Sequence, residues 1–241
     1  NDVRILVIDE ADRMLDMGFI PDVEKIVSLL SPMRQTLFFS ATLPPVIKRL
    51  ADAFLMNPKE ITTARLSAAA TTVTQGLVTV LHKDGKRPGG GQKEKREALR
   101  QILKRETVKN AIIFCNRKRD IGILHRSLTK HGYNVGQLHG DMSQPSRMEM
   151  LARFKNEEVH LLICSDVAAR GLDIPDLSHV FNFDVPTHAE DYVHRIGRTG
   201  RAGRDGKAFT IATKEDGKYL KEIQDLIGIN IPDLDLENGA K

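Results

Sequence analysis

The sequence predicts an α/β fold in which a parallel sheet is flanked by helices. Two observations carry this. Short β-branched apolar runs, such as 5–8, 111–115 and 159–164, alternate with longer stretches whose apolar residues recur at helical spacing. Several of those runs also end directly in carboxylates, hydroxyls or tight turns, and open parallel sheets bind ligands at the carboxyl ends of their strands.

The elements follow in order. Residues 3–8 form a strand. Residues 23–30 form a helix, with Pro21 near its start and Pro32 just past its end. "QTLFFSAT" reads as a strand entering a small-residue turn. "PPVIKRLADAFL" (44–55) is a helix whose prolines suit a first turn, and 59–62 forms one more strand. The texture then changes. "RLSAAATTVTQG" has no clear period, which marks a linker over 64–75.

A second α/β series starts with a strand at 76–81. A glycine-rich basic loop (82–97) leads into a helix that runs to about Arg105. From Lys83 to Glu106 there are nine basic and four acidic residues, a local +5; this stretch is either a solvated loop with a polar helix face or a nucleic-acid contact. Strands at 111–115, 134–138, 159–164, 178–183 and 206–212 then alternate with helices at 120–131, 145–154, 189–196 and 216–227. The tail "PDLDLENGAK" (232–241) is expected to be frayed. No internal repeat is visible.

Composition narrows the function. The 241 residues are 41% apolar, enough for one large or two small domains. A net charge of +4 and a pI near 9.0 are compatible with a polyanionic partner. Cys115 and Cys164 each end an apolar run and are expected as buried free thiols in a reducing, cytoplasmic compartment. The eight histidines show no zinc-binding spacing, and no apolar run approaches membrane-spanning length. No signal sequence precedes the first strand. A chain that opens in mid-strand reads as a fragment.

Five stretches carry chemistry. "ILVIDEADRML" (5–15) ends a strand in Asp9 and Glu10. An aspartate there can hold magnesium directly or through water, and a neighbouring glutamate can orient or deprotonate a water attacking a γ-phosphate. "SAT" (40–42) offers two hydroxyls that could bond Asp12 or Asp9. In "YVHRIGRTGRAGRDG" (192–206), Arg195, Arg198, Arg201 and Arg204 recur every three residues between glycines. Planar forked donors of this kind suit phosphate oxygens. "SDVAARGLD" (165–173) offers Ser165 and the carboxylate Asp173, which could accept from ribose hydroxyls. "QPSR" (144–147) opens a helix whose amides and Arg147 suit phosphate.

Together these residues resemble the DEAD-box family of ATP-dependent RNA helicases, and the general texture is most similar to its bacterial branch. "DEAD" (9–12), "SAT" (40–42), "IFCNRK" (113–118), "QPSR" (144–147), "SDVAARGLD" (165–173) and "HRIGRTGR" (194–201) match family motifs in order and spacing. The resemblance implies two RecA-like domains joined by a linker, with ATP and RNA bound between them. Here 1–63 would be the last part of the first domain and 76–231 a second domain. Asp9 would position magnesium and Glu10 would activate water. Asp12, Ser40, Thr42 and His194 would couple nucleotide binding to closure. Arg198 and Arg201 would serve as arginine fingers. Gly171 and Asp173 would lie against the nucleotide, and Asn116, Lys118, Gln144, Arg147 and Ser165 against the RNA backbone. Ser165 replaces the usual threonine but keeps the hydroxyl, and Arg117 stands where the family often has threonine.

The implied cofactors are ATP and magnesium. The implied partner is RNA, bound without sequence preference by a monomer away from any membrane. The phosphate-binding pattern G-x-x-x-x-G-K-[ST] is absent from the sequence, and "GGGQKEK" (89–95) does not replace it. The chain alone is therefore expected not to turn over ATP. Three other readings stay open: a DNA-directed helicase of the same superfamily, an RNA-binding and partner-docking module without turnover, and a metabolic P-loop kinase.

Overall fold

The computed structural model describes residues 3–62, 73–81, 91–169, 177–200 and 205–236, and the chain divides into two units, 1–64 and 65–241. In the first unit β1 (Ile5–Ile8) runs parallel to β2 (Gln35–Phe38), with Ile5 opposite Gln35 and Ile8 opposite Phe38. Parallel neighbours need a crossover, supplied here by α1 (Ala11–Asp16) and α2 (Ile20–Ser28). α3 (Pro45–Phe54) starts on a proline, whose fixed φ and missing N–H suit a first helical position, and it buries Ile47 and Leu50.

Side chains alternate across a strand, so β1 and β2 present two faces. One face packs Ile8 with Ala11 and Ile47, flanked by Leu6, Phe38 and Phe54. On the other, Ile5 and Val7 remain 59% and 54% exposed, beside Leu37 and Phe39 at 38% and 53%. The further strand expected at 59–62 does not form. The stretch has a single apolar residue, Ile61, which is exposed, and no strand among the described residues pairs with it.

The second unit is a six-stranded sheet, every neighbouring pair parallel. Its order is β3 (Val73–Thr79), β8 (Gly206–Ala212), β7 (His179–Asn182), β4 (Ala111–Phe114), β6 (Leu161–Cys164), β5 (Val135–Leu138). β4, β6 and β7 are wholly buried, as strands covered on both faces must be, which explains their continuous apolar runs. Alternate residues serve two cores. Ile113, Ile163 and Phe181 pack against α4 (Gln92–Arg105) and α5 (Lys118–Lys130). Ile112, Leu162 and Val180 pack with side chains of α6 (Gln144–Lys155), α8 (Ala189–Ile196) and α9 (Gly217–Ile227). A short helix, α7 (Asp166–Ala169), directly follows β6 and Ser165.

Two expectations are corrected at the ends of this unit. The strand expected from residue 76 starts at Val73, so 73–75 belong to β3 rather than to a linker. Gly76 sits in mid-strand because a Cβ there would come within 2.9 Å of the Phe209 ring. The tail is not frayed over 232–236. The Leu77 N–H donates to Pro232 O at 2.8 Å, Leu234 N–H donates to Leu77 O at 2.6 Å, and Leu234 and Leu236 pack against the core. The alternation Asp-Leu-Asp-Leu carried this strand-like signal. Residues 63–72 and 237–241 lie outside the described residues.

Candidate nucleotide and nucleic-acid site

In the first unit the polar groups gather where β1 and β2 end. Asp9 follows Ile8 and is exposed, and its Oδ1 accepts the Glu10 N–H at 2.9 Å. Glu10 adopts a left-handed conformation, φ 51° and ψ 46°, as the N-cap of α1. A side chain held there costs on the order of 1–3 kcal/mol, strain of a kind concentrated at functional sites. The turn carries Asp12 inward to 7% exposure. Its Oδ2 accepts both the Thr42 N–H, at 3.1 Å, and the Thr42 hydroxyl, at 3.0 Å. The Asp12 N–H donates to Ser40 Oγ at 3.2 Å, and that hydroxyl donates to Thr42 O at 2.6 Å. The sequence left Asp9 and Asp12 open as partners for the hydroxyls, and the structure selects Asp12. Asp12 Oδ1 is buried with no partner among the described residues.

Among the described residues no three His, Cys, Asp or Glu side chains cluster as a metal cage. Magnesium does not need one, because it is held by one or two carboxylates and completes its octahedron with phosphate and water. An exposed strand-end carboxylate such as Asp9 fits that donor set.

In the second unit β4, β6 and β5 are neighbours, so the segments leaving their carboxyl ends converge. Asn116 and Lys118 follow β4, Gln144 and Arg147 open α6 after β5, and Ser165 follows β6. Lys118 forms an ion pair with Asp141, both more than half exposed. Gln144 is exposed in the first turn of α6, capped by Ser143, which accepts the Ser146 N–H at 3.4 Å. Arg147 is half-buried and donates to Ala168 O at 3.4 Å, and Ser165 is half-buried.

Asn116 is committed inward. Its Nδ2 donates to Val185 O at 2.8 Å, and its Oδ1 accepts from Arg195 Nη2 at 2.8 Å. Arg195 corrects the reading of the arginine series as uniformly phosphate-facing. It is 1% exposed and clamps Asp166 through two bonds of 2.7 Å. It also donates to Asp184 O at 2.8 Å and lies 5.0 Å from the centre of the Phe114 ring. Three-residue spacing cannot separate the last turn of α8, which faces the sheet, from the loop that follows. Arg198 falls just beyond that helix and is half-buried, as is His194 within it. Gly171, Asp173, Arg201 and Arg204 lie outside the described residues, as does most of the basic loop, 82–90. Lys95, counted in that basic stretch, is buried rather than solvent-facing.

Three residues here were not singled out by motif spacing. The Asp166 carboxylate and the Asp184 backbone carbonyl hold Arg195, and His139 directly follows β5. Burial and the nearby Lys118 push the His139 imidazole below its ordinary pKa, which keeps it neutral. Their only signal in the sequence was position at a strand end. Both cysteines are free and buried, and burial pushes both thiols up, so neither is reactive.

The six-stranded parallel sheet of the second unit and, in the first unit, the "DEAD" turn clasped to "SAT" are features of a RecA-like helicase. The family profile described as "DEAD/DEAH box helicase" matches residues 1–50, and "Helicase conserved C-terminal domain" matches 94–203. The chain belongs to the DEAD-box family. It is 41% identical over 221 residues to the DEAD-box ATP-dependent RNA helicase RhpA of Helicobacter pylori, covering 92% of this chain and 43% of that protein. The E. coli DEAD-box protein SrmB, solved bound to the regulator RraA, is 33% identical with a TM-score of 0.61, covering 68% of this chain and 91% of SrmB. S. cerevisiae Dbp5 carrying L327V, solved bound to RNA and ADP BeF3, superposes with a TM-score of 0.86 at 28% identity, over 99% of this chain and 61% of that one. The chain thus spans less than half the length of the curated relative.

Proposed function

We propose that this chain is part of an ATP-dependent RNA helicase that couples ATP hydrolysis to local opening of RNA duplexes. The observation that carries the reading is the clasp of Asp12 by Thr42 and Ser40. It ties the two strand ends into one rigid acidic turn and leaves Asp9 and Glu10 free to face a nucleotide. Asp9 would hold magnesium, which when bound supplies positive charge to the phosphates. Glu10 orients the attacking water and takes its proton, while Arg198 and Arg201 bring guanidinium charge to the phosphoryl group in transfer. Gly171 and Asp173 lie against the nucleotide, with Asp173 on the ribose. Lys118, Gln144, Arg147 and Ser165 face the RNA backbone. Asn116 serves that edge by holding the turn, since both ends of its amide are engaged inside the protein. Contacts to phosphate and sugar carry no base information, so binding is independent of sequence. The protein works as a cytoplasmic monomer.

The sequence has no G-x-x-x-x-G-K-[ST] loop, and this favours a companion reading: the 241 residues alone bind RNA but do not turn over ATP. The test compares three proteins. The full-length parent should show RNA-stimulated ATPase activity, and Glu10→Gln in that parent should lose it about a hundredfold or more while retaining RNA binding. This chain alone should show none. Turnover by the chain that survives repurification, or full activity in Glu10→Gln, refutes the assignment.

A further inference from the structure

We propose that Lys95, acting through Asp184, is a positioning residue for the RNA-facing turn at 116–118. The proposal rests on the reading of that edge as RNA-facing. Lys95 lies in the second turn of α4 and is only 5% exposed. Burying an ammonium is costly unless it is paired. Its Nζ stands 3.1 Å from Asp184 Oδ1 and 3.7 Å from Asp216 Oδ2, with the Phe183 ring centre 6.0 Å away. Asp216 Oδ2 already accepts the Thr213 N–H and hydroxyl, each at 2.8 Å, so Asp184 is the closer and freer partner.

Asp184 is a junction. Its other oxygen, Oδ2, accepts the Asn116 N–H at 3.1 Å. Its own N–H donates to Phe114 O at 3.3 Å, and its carbonyl accepts from Arg195. The carboxylate therefore pins the first residue after β4, and Lys118 follows two positions on. Holding one oxygen on Lys95 fixes the direction of the other. An ion pair is a poor way to gain stability at this place. The same face of α4 carries Ala98, Leu99 and Ile102, and a buried pair exchanged for apolar side chains is often neutral or stabilising. What the pair supplies, and an apolar side chain would not, is a defined orientation for the turn.

The test uses full-length parent protein and a poly(U) oligonucleotide. Lys95→Met should weaken RNA binding and raise the RNA KM of the ATPase about tenfold, roughly 1.4 kcal/mol. At saturating RNA kcat should stay within about twofold. The slope of log affinity against log salt should flatten by about 0.7, the share of one phosphate contact on a single strand. Lys95→Met combined with Asp184→Asn buries no unpaired charge, so it secures folding, and it should keep the RNA defect. Recovery of RNA affinity in that double variant, or an unchanged affinity and salt slope in Lys95→Met whatever happens to the melting temperature, would make Lys95 purely structural. Lys118→Ala is the control on the underlying reading. If it moves neither affinity nor slope, the RNA-facing assignment falls and the proposal with it. If it moves both while the Lys95 variants move neither, only the positioning role is lost.

Discussion

Residues 1–64 and 65–241 both hold polar groups at the carboxyl ends of parallel strands, on very different foundations. The first unit rests on Ile8, Ala11 and Ile47, with one face of its two strands exposed. Its site is held by a single carboxylate and two hydroxyls within a turn of each other in space. The second unit covers both faces of a six-stranded sheet and buries a guanidinium and an ammonium beside its site. A buried cation needs several satisfied partners and water excluded around them. The first unit also buries one, Arg13 at 3% exposure, next to Asp12 in the acidic turn. What differs is how the strand-end turn is held: in the first unit by hydroxyl and backbone bonds around Asp12, in the second by the buried cations Arg195 and Lys95 acting on Asp166 and Asp184.

The largest effect should come from separating the two roles inside one arginine series. Arg198 lies beyond α8 and Arg195 lies within it. In the full-length parent, Arg198→Ala should lower kcat by ~10³ or more while leaving the melting temperature within a few degrees, because an arginine finger acts on charge that develops in the transition state. A variant that unfolds, or keeps kcat within a few-fold, would place Arg198 with the structural group.

Arg195→Met should do the reverse. It leaves Asp166, Asn116 and the Asp184 carbonyl without their donor. Breaking a buried pair from one side costs about 3–5 kcal/mol. In a unit of this size that lowers the melting temperature by roughly 10 °C. Calorimetry on the full chain should show the loss in the transition of residues 65–241. A loss confined to residues 1–64 would contradict the comparison.

Thr42→Val in the first unit should cost less. It removes the hydroxyl bond to Asp12 but leaves the Thr42 N–H bond in place. A hydrogen bond to a charged group contributes about 1.5–3 kcal/mol, and partial exposure puts this one at the low end. Hydrogen exchange at Asp12 and Phe39 amides should accelerate, with the second unit unchanged.

How much of this was legible in the sequence follows the same division. The buried strands of the second unit read clearly because their apolar runs are short, rich in β-branched residues and bounded by polar or turn residues, too short for a buried helix. α8 and β8 were placed to the residue. The contact of "DEAD" with "SAT" was legible because strand-end chemistry is local, and Asp12 does meet Ser40 and Thr42. What stayed hidden was long-range. Arg195 and Lys95 look like surface charge until the strands that carry Asp184 and Asn182 are set beside them. The strand-like tail at 232–236 was masked by its terminal place, and the strand expected at 59–62 rested on one apolar residue, Ile61, which stays exposed.

The smallest effect concerns pH, and it separates the units by composition, since residues 1–64 contain no histidine. His179 opens β7 at 4% exposure, stacked with Phe181 and Phe209 at centroid distances of 5.9 and 6.2 Å. Its Nδ1 meets Ser178 Oγ at 2.9 Å, and its Nε2 lies 3.6 Å from the Glu106 carboxylate, which Lys207 also engages at 2.7 Å. Burial pushes the imidazole pKa down. Glu106 pulls it back and Lys207 opposes that pull, leaving it below the ordinary value of 6.5. The unfolded chain then binds more protons than the folded one as pH falls past 6.5. The stabilisation is complete above that value and is lost as pH drops toward the folded pKa. Glu106, pushed up by burial but drawn lower overall by Lys207 and His179, adds its own loss only below its ordinary carboxylate range. The melting temperature of the second unit should therefore decline between pH 7 and pH 5.5, and His179→Phe, which keeps the stacking, should flatten that decline. The transition of residues 1–64 should not respond over the same interval. An equal slope in both units, or no change in His179→Phe, would mean that the imidazole titrates as it does in the unfolded chain.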